Sequence, residues 1–141
     1  MSILNENGRV GMKKVYEFLK ACETYFLATT EGDQPRVRPF GTVNLFEDKL
    51  YIQTGKIKNV SKQMMANPKI ELCGMSGGKW IRVEAIAVED DRLVARQQML
   101  AAYPQLQGMY KADDGNCQVF YLKDVTATIY SFTDAPEVIR F

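Results

Sequence analysis

The chain has 141 residues, 46% hydrophobic and 25% charged, the size and balance of one globular domain with its own core. Its formal net charge is +1, with both signs spread along the sequence, which excludes a global basic footprint for nucleic acid or an anionic membrane and leaves only local anion recognition. It has no histidine and three cysteines, Cys22, Cys73 and Cys117, so histidine triads and histidine metal sites are ruled out, and neither a disulfide framework nor a C-x-x-C metal site is present.

No apolar run approaches the ~20 residues that span a bilayer, and Met1 to Met12 is polar, without the apolar core of a signal peptide. A cytoplasmic protein is expected. The cysteines are expected to be reduced and mostly buried small apolar residues. Without histidine as a general acid or base, chemistry is expected to come from a bound cofactor.

Met12, Val15, Tyr16, Leu19 and Cys22 recur at three- and four-residue steps after Gly11, which predicts an amphipathic first helix against a sheet. Tyr25–Thr30, Arg36–Phe46 and Leu50–Thr54 have strand character, with turn signals at Glu31-Gly32-Asp33 and Glu47-Asp48-Lys49. Connections this short make the neighbours antiparallel. Between Gly55 and Pro68 the pattern is helical, with Val60 and Met64 on one face and Asn67-Pro68 as the stop. Lys69–Met75 and Trp80–Glu89 form a hairpin around Ser76-Gly77-Gly78. Asp90 or Asp91 is expected to cap a helix reaching Ala101. Cys117–Phe132 is β-rich, either two strands or one with a bulge near Lys123-Asp124. The expected class is mainly β (α+β): one domain, an antiparallel closed or partly closed barrel with peripheral helices.

Arg36 and Arg38 are two apart on one strand and share a face, with Val37 and Pro39 on the other. Two adjacent guanidinium groups repel unless an anion or a carboxylate lies between them. The strand ending at Gln53-Thr54 leads through Gly55-Lys56-Ile57-Lys58-Asn59 into the helix carrying Ser61 and Lys62. A helix start offers free N–H groups and a positive dipole end, so Thr54, Lys56, Lys58 and Asn59 suit a phosphate. Neither G-x-x-x-x-G-K nor G-x-G-x-x-G occurs in the required context. In isolation Lys56, Lys58 and Lys62 read as a solvated basic face; the Arg36-x-Arg38 pair shifts the balance to phosphate binding.

Pro35-Arg36-Val37-Arg38-Pro39-Phe40, then Leu50-Tyr51-Ile52-Gln53-Thr54, then Lys58-Asn59-Val60-Ser61-Lys62-Gln63-Met64-Met65-Ala66-Asn67-Pro68, taken in that order, resemble the pyridoxamine 5′-phosphate oxidase-like FMN-binding split barrels. The resemblance covers nearly the whole chain. It implies an antiparallel split β-barrel forming a single FMN-binding domain over residues 1–141, working as a homodimer with FMN in the cleft between subunits. Carried over by position, it gives Arg38, Thr54, Lys58 and Asn59 to the phosphate, with Lys56 an addition and Arg36 or Lys56 tuning the ring. The flavin ring is expected along Arg38, Pro39 and Phe40 and against Ile52-Gln53. Trp80, with Arg82, falls near the flavin or the dimer interface, the alternative being an ordinary core or interface aromatic. Gln63 is a polar position on the helix. Tyr103, Met109, Tyr110 and Phe120 either line the partner side of the cleft or belong to the core.

The resemblance implies an oxidoreductase passing electrons from a reduced nicotinamide or similar donor to a small acceptor. No catalytic side chain is identifiable. True pyridoxamine-phosphate oxidases carry an Arg and a His in a C-terminal segment, whereas Ser131–Phe141 has no histidine, and Val60 replaces a phosphate-site Lys. The vitamin B6 reaction is therefore not expected. The alternatives are a non-catalytic FMN sensor or flavin reservoir, and a haem or deazaflavin cofactor as in relatives of the family, haem being disfavoured by the missing histidine. No nucleic-acid or membrane partner is expected.

Overall fold

Asn5 accepts a hydrogen bond from the Gly8 amide at 2.7 Å and caps helix α1, Glu6–Cys22, so the helix starts ahead of Gly11. The structure is a computed structural model that describes residues 4–141; the first three residues of the polar start lie outside it. Met12, Val15 and Leu19 form the buried stripe of α1. A Cβ on Gly11 would lie 2.7 Å from Ile139 Cγ2, so the bare glycine lets the last strand approach the helix.

The strands are β1 (Tyr25–Glu31), β2 (Gln34–Phe40), β3 (Asn44–Phe46), β4 (Lys49–Gly55), β5 (Lys69–Ser76), β6 (Lys79–Glu89), β7 (Cys117–Tyr130) and β8 (Glu137–Arg140). Helix α2, Asn59–Ala66, follows β4; α3, Leu93–Ala102, and a 3₁₀ turn, Pro104–Gly108, follow β6. All pairings are antiparallel, in the order β2-β1-β5-β6-β7-β4-β3 with β8 also on β7. The long β7 pairs with β4 through Cys117–Tyr121 and with β8 through Thr126–Ile129. Between the two, Asp124 adopts φ +52° and the register against β6 shifts between Glu84 and Ile86, which is the anticipated bulge in a single strand. Tyr25, Leu27, Leu50, Ile52, Leu72, Ile81 and Phe120 fill the core, sealed by α1 and by Val60 and Met64 of α2.

Three expectations change. Arg36–Phe46 is not one strand: β2 stops at Phe40 because Gly41–Val43 is tied elsewhere. Tyr25 Oη donates to the Thr42 carbonyl at 2.5 Å, Thr42 Oγ1 accepts from the Gln53 amide at 3.0 Å, and Tyr103 Oη accepts from the Val43 amide at 2.9 Å and donates to the Val43 carbonyl at 3.0 Å. Neither Asp90 nor Asp91 caps α3. Its N-cap is Arg92, without a side-chain bond, and Asp90 Oδ1 instead accepts the Arg92 amide at 3.2 Å. Cys117 is buried and Cys22 partly so, but Cys73 is exposed.

Asp90 also accepts from Tyr51 Oη at 2.7 Å and from the Arg92 guanidinium, which reaches Glu47 at 2.8 Å. The Arg92 bonds, with help from Tyr51, lower the Asp90 pKa to about 2. A depressed folded-state value means this contribution to stability is complete above the unfolded value of roughly 4 and is lost as pH falls through the folded one. Asp90→Asn should therefore be less stable than the parent at neutral pH, with the gap closing between about pH 4 and pH 2. Urea unfolding at stepped pH checks this; a gap independent of pH would contradict it.

Candidate functional site

The β1–β2 register sets Arg38 opposite Leu27 and Arg36 opposite Thr29, and both arginines line a hollow walled on its other side by the start of α2. Arg38 Nη1 donates to Thr29 Oγ1 at 2.8 Å and to the Leu27 carbonyl at 3.2 Å, and Nη2 donates to Gln63 Oε1. All three acceptors are neutral. Burial, then the neighbouring Arg36 charge, lowers the Arg38 pKa, yet a guanidinium stays protonated. The site thus holds a partly buried cation whose charge no directly bonded carboxylate balances.

Arg36 is paired with Glu31 at 3.0 Å, and Gln63 Nε2 donates to the same carboxylate at 3.3 Å. These bonds, Arg36 first, lower the Glu31 pKa. The hollow measures about 500 Å³, and its walls include Arg36, Arg38, Lys58, Asn59, Gln63 and Glu31. Lys58 is the N-cap of α2 but makes no side-chain cap bond, so the first-turn N–H groups at Asn59 and Val60 lack intrahelical partners. Two guanidinium groups, one of them paired with Glu31, an ammonium and a helix start without a side-chain cap form a cradle of donors with the chemistry to attract an anion.

A second cavity, about 340 Å³, is lined by Pro39, Phe40, Gln53, Thr54, Tyr103 and Tyr110 among others, and Lys58 borders both spaces. Each is of the size small-ligand sites have. A molecule with a phosphate at one end and a flat body at the other has a donor set for the first in the cradle and, for the second, a slot of mixed lining in which Pro39, Phe40, Leu106 and Met109 alternate with Thr42, Gln53, Thr54 and Gln105. Two larger hollows differ in chemistry. In one of about 800 Å³, Arg92 is taken by Asp90 and Glu47 and Lys49 lies over the Tyr121 ring. In one of about 540 Å³, Glu71, Glu84 and Asp124 outnumber Lys69.

Of the residues singled out in the sequence, Arg36, Arg38, Lys58 and Asn59 meet at the cradle, and Pro39, Phe40, Gln53, Thr54 and again Lys58 at the slot. Lys56 lies outside both and pairs with Asp91 at 3.7 Å. Trp80 also lies outside both, stacked on Tyr130 with ring centroids 5.6 Å apart. Thr42 and Glu31 were not anticipated. Tyr103, Met109 and Tyr110 line the slot of their own chain, while Phe120 is core. The signal for Glu31 was present, since a turn at Gly32-Asp33 returns β2 alongside β1 and brings Arg36 near it.

The family model described as Pyridoxamine 5′-phosphate oxidase matches residues 12–123. Among solved structures, a NimC/NimA family protein from Clostridium acetobutylicum is 46% identical with a TM-score of 0.90, covering 93% of this chain and 94% of that one. General Stress Protein 26 from Bacillus anthracis is 15% identical with a TM-score of 0.74, covering 94% and 98%. The heme storage protein HutZ from Vibrio cholerae is 16% identical with a TM-score of 0.62, covering 79% and 87%. The latter two carry the fold alone. A search of curated proteins finds no match. The order of motifs, the eight-stranded antiparallel sheet and these likenesses agree: the chain belongs to the pyridoxamine 5′-phosphate oxidase-like family and has its split-barrel fold.

Proposed function

We propose that the chain is a homodimeric FMN-binding flavoprotein that passes electrons from a reduced nicotinamide or similar donor to a small acceptor, without the vitamin B6 reaction. The observation that carries the reading is Arg38: a partly buried cation, bonded only to neutral acceptors, at a cradle shared with Arg36, Lys58 and the start of α2. Arg38, Arg36, Lys58 and Asn59 would hold the phosphate, and Pro39, Phe40, Gln53 and Thr54 would border the ring. FMN, when bound, supplies hydride and electron chemistry; the protein's residues bind, orient and exclude water.

The outer face of the sheet offers a surface for the second subunit. Pro39, Phe26, Cys73, Arg82, Thr128 and Val138 are consecutive partners across six strands. Phe26, Val37, Met75 and Val138 on this face are 48–69% exposed, and Phe132, packed on Trp80 beside it, is 89% exposed. These exposed apolar side chains flank a polar middle of Arg82, paired with Glu71 at 2.9 Å, and Thr128, a mix of apolar and polar groups of the kind protein interfaces carry. Trp80, outside both cavities of its own chain, would take part only through the partner copy.

Anaerobic addition of NADH or NADPH to the FMN-loaded protein should bleach the flavin band. A loaded protein inert to both would leave an FMN holder instead of a reductase. Glu31 supplies a further expectation, since its carboxylate already occupies Arg36 and repels an incoming phosphate. Glu31→Gln should tighten FMN binding while leaving riboflavin unaffected, as read by quenching of flavin fluorescence. Weaker FMN binding in this variant would place Glu31 among the supporting residues of the cradle.

A further inference from the structure

Among the described residues four tyrosines are at least nine-tenths buried: Tyr25, Tyr51, Tyr103 and Tyr110. A buried phenol normally finds a partner, and three of them do. Tyr25 donates to the Thr42 carbonyl, Tyr51 to Asp90, and Tyr103 exchanges bonds with the Val43 backbone while accepting from Lys20 at 3.1 Å. The Tyr110 hydroxyl has no such bond to any described residue. No sealed side-chain oxygen or nitrogen among the described residues lacks a partner, so the Tyr110 oxygen is not fully sealed, and Tyr110 is one of the residues lining the slot beside Lys58.

Its position is built. The Tyr110 ring packs with Leu100 and Cys117 against Leu106 and Ala112. A Cβ on Gly55 would lie 3.1 Å from the Tyr110 oxygen and 3.1 Å from the Asn116 side chain. Asn116 is fixed by accepting the Ile57 amide at 3.2 Å and the Lys56 amide at 2.8 Å. The missing side chain at Gly55 therefore leaves the hydroxyl its place. Thr54, 3% exposed, lies on the same wall, also without a side-chain bond to a described residue. A hydroxyl that the protein itself leaves unpaired on a residue lining a cavity is free to donate to an acceptor entering that cavity.

We propose that Tyr110 is a ligand-holding residue of this site, its hydroxyl donating to an acceptor oxygen on the body of the bound flavin. The phosphate is not its partner, because Tyr110 lines the slot and is absent from the cradle. The proposal rests on the flavin reading. Its test compares Tyr110→Phe with the parent in titrations with FMN and with riboflavin, following flavin fluorescence and the shift of the flavin absorption band. One neutral hydrogen bond lost should weaken both ligands by about three- to tenfold, with inorganic phosphate competing against FMN as before. Gly55→Ala, which crowds the hydroxyl without removing it, should weaken both in the same direction. Equal affinities in parent and Tyr110→Phe, or a loss confined to FMN, would overturn the assignment of Tyr110 alone. A parent chain that takes up neither flavin would overturn the flavin reading and this proposal with it.

Discussion

Arg38→Ala is expected to weaken FMN binding by about 1–3 kcal/mol, roughly five- to 150-fold in Kd. The side chain is partly buried, and a charge-assisted bond there is less screened than at the surface. The variant should still fold, because Thr29 Oγ1 and Gln63 Oε1 keep their mutual bond at 2.6 Å after the guanidinium is gone. Arg38→Lys keeps the charge but loses the fork that reaches Thr29, Leu27 and Gln63 together, and should fall between the two. Lys58, exposed and unbranched, should matter less than Arg38 when replaced by Ala. Calorimetric titration with FMN measures all three; unchanged affinity in both Arg38→Ala and Lys58→Ala would remove the phosphate from this cradle.

The largest stability effect is expected at Leu27→Ala. Leu27 is fully buried in the main core, on β1 between Arg38 of β2 and Leu72 of β5. Truncating a leucine in such a position costs about 2–5 kcal/mol, a large share of the 5–15 kcal/mol typical of a domain. The urea midpoint should drop accordingly with little change in slope. The folded fraction should keep most of its FMN affinity, because the Leu27 carbonyl that anchors Arg38 belongs to the backbone and survives the substitution. A midpoint within experimental error of the parent would mean that β1 does not pack as described.

What was legible in the sequence was whatever local periodicity and turn chemistry dictate. Val60 and Met64 on α2 and the hairpin at Gly77-Gly78 follow from spacing alone, and so does the grouping of Arg36, Arg38, Lys58 and Asn59 at one hollow, through a hairpin and a helix start. What was not legible depends on distant partners. The break after Phe40 is made by side chains of Tyr25 and Tyr103 that replace ladder bonds at Thr42 and Val43. Gly11 looked like a helix boundary and is instead an interior position kept bare for Ile139. The four-residue β8 has no periodic signal and exists through its pairing with β7. Tyr110 had the composition of a core aromatic, and only the pattern of hydrogen bonds around it separates it from Tyr25, Tyr51 and Tyr103.

Whether this chain holds FMN is read from the absorption spectrum of the freshly purified protein, with the chromophore identified after acid release. Flavin bands and release of FMN as the nucleotide are expected. A haem band, or a colourless protein that stays colourless after incubation with FMN and desalting, would contradict FMN binding.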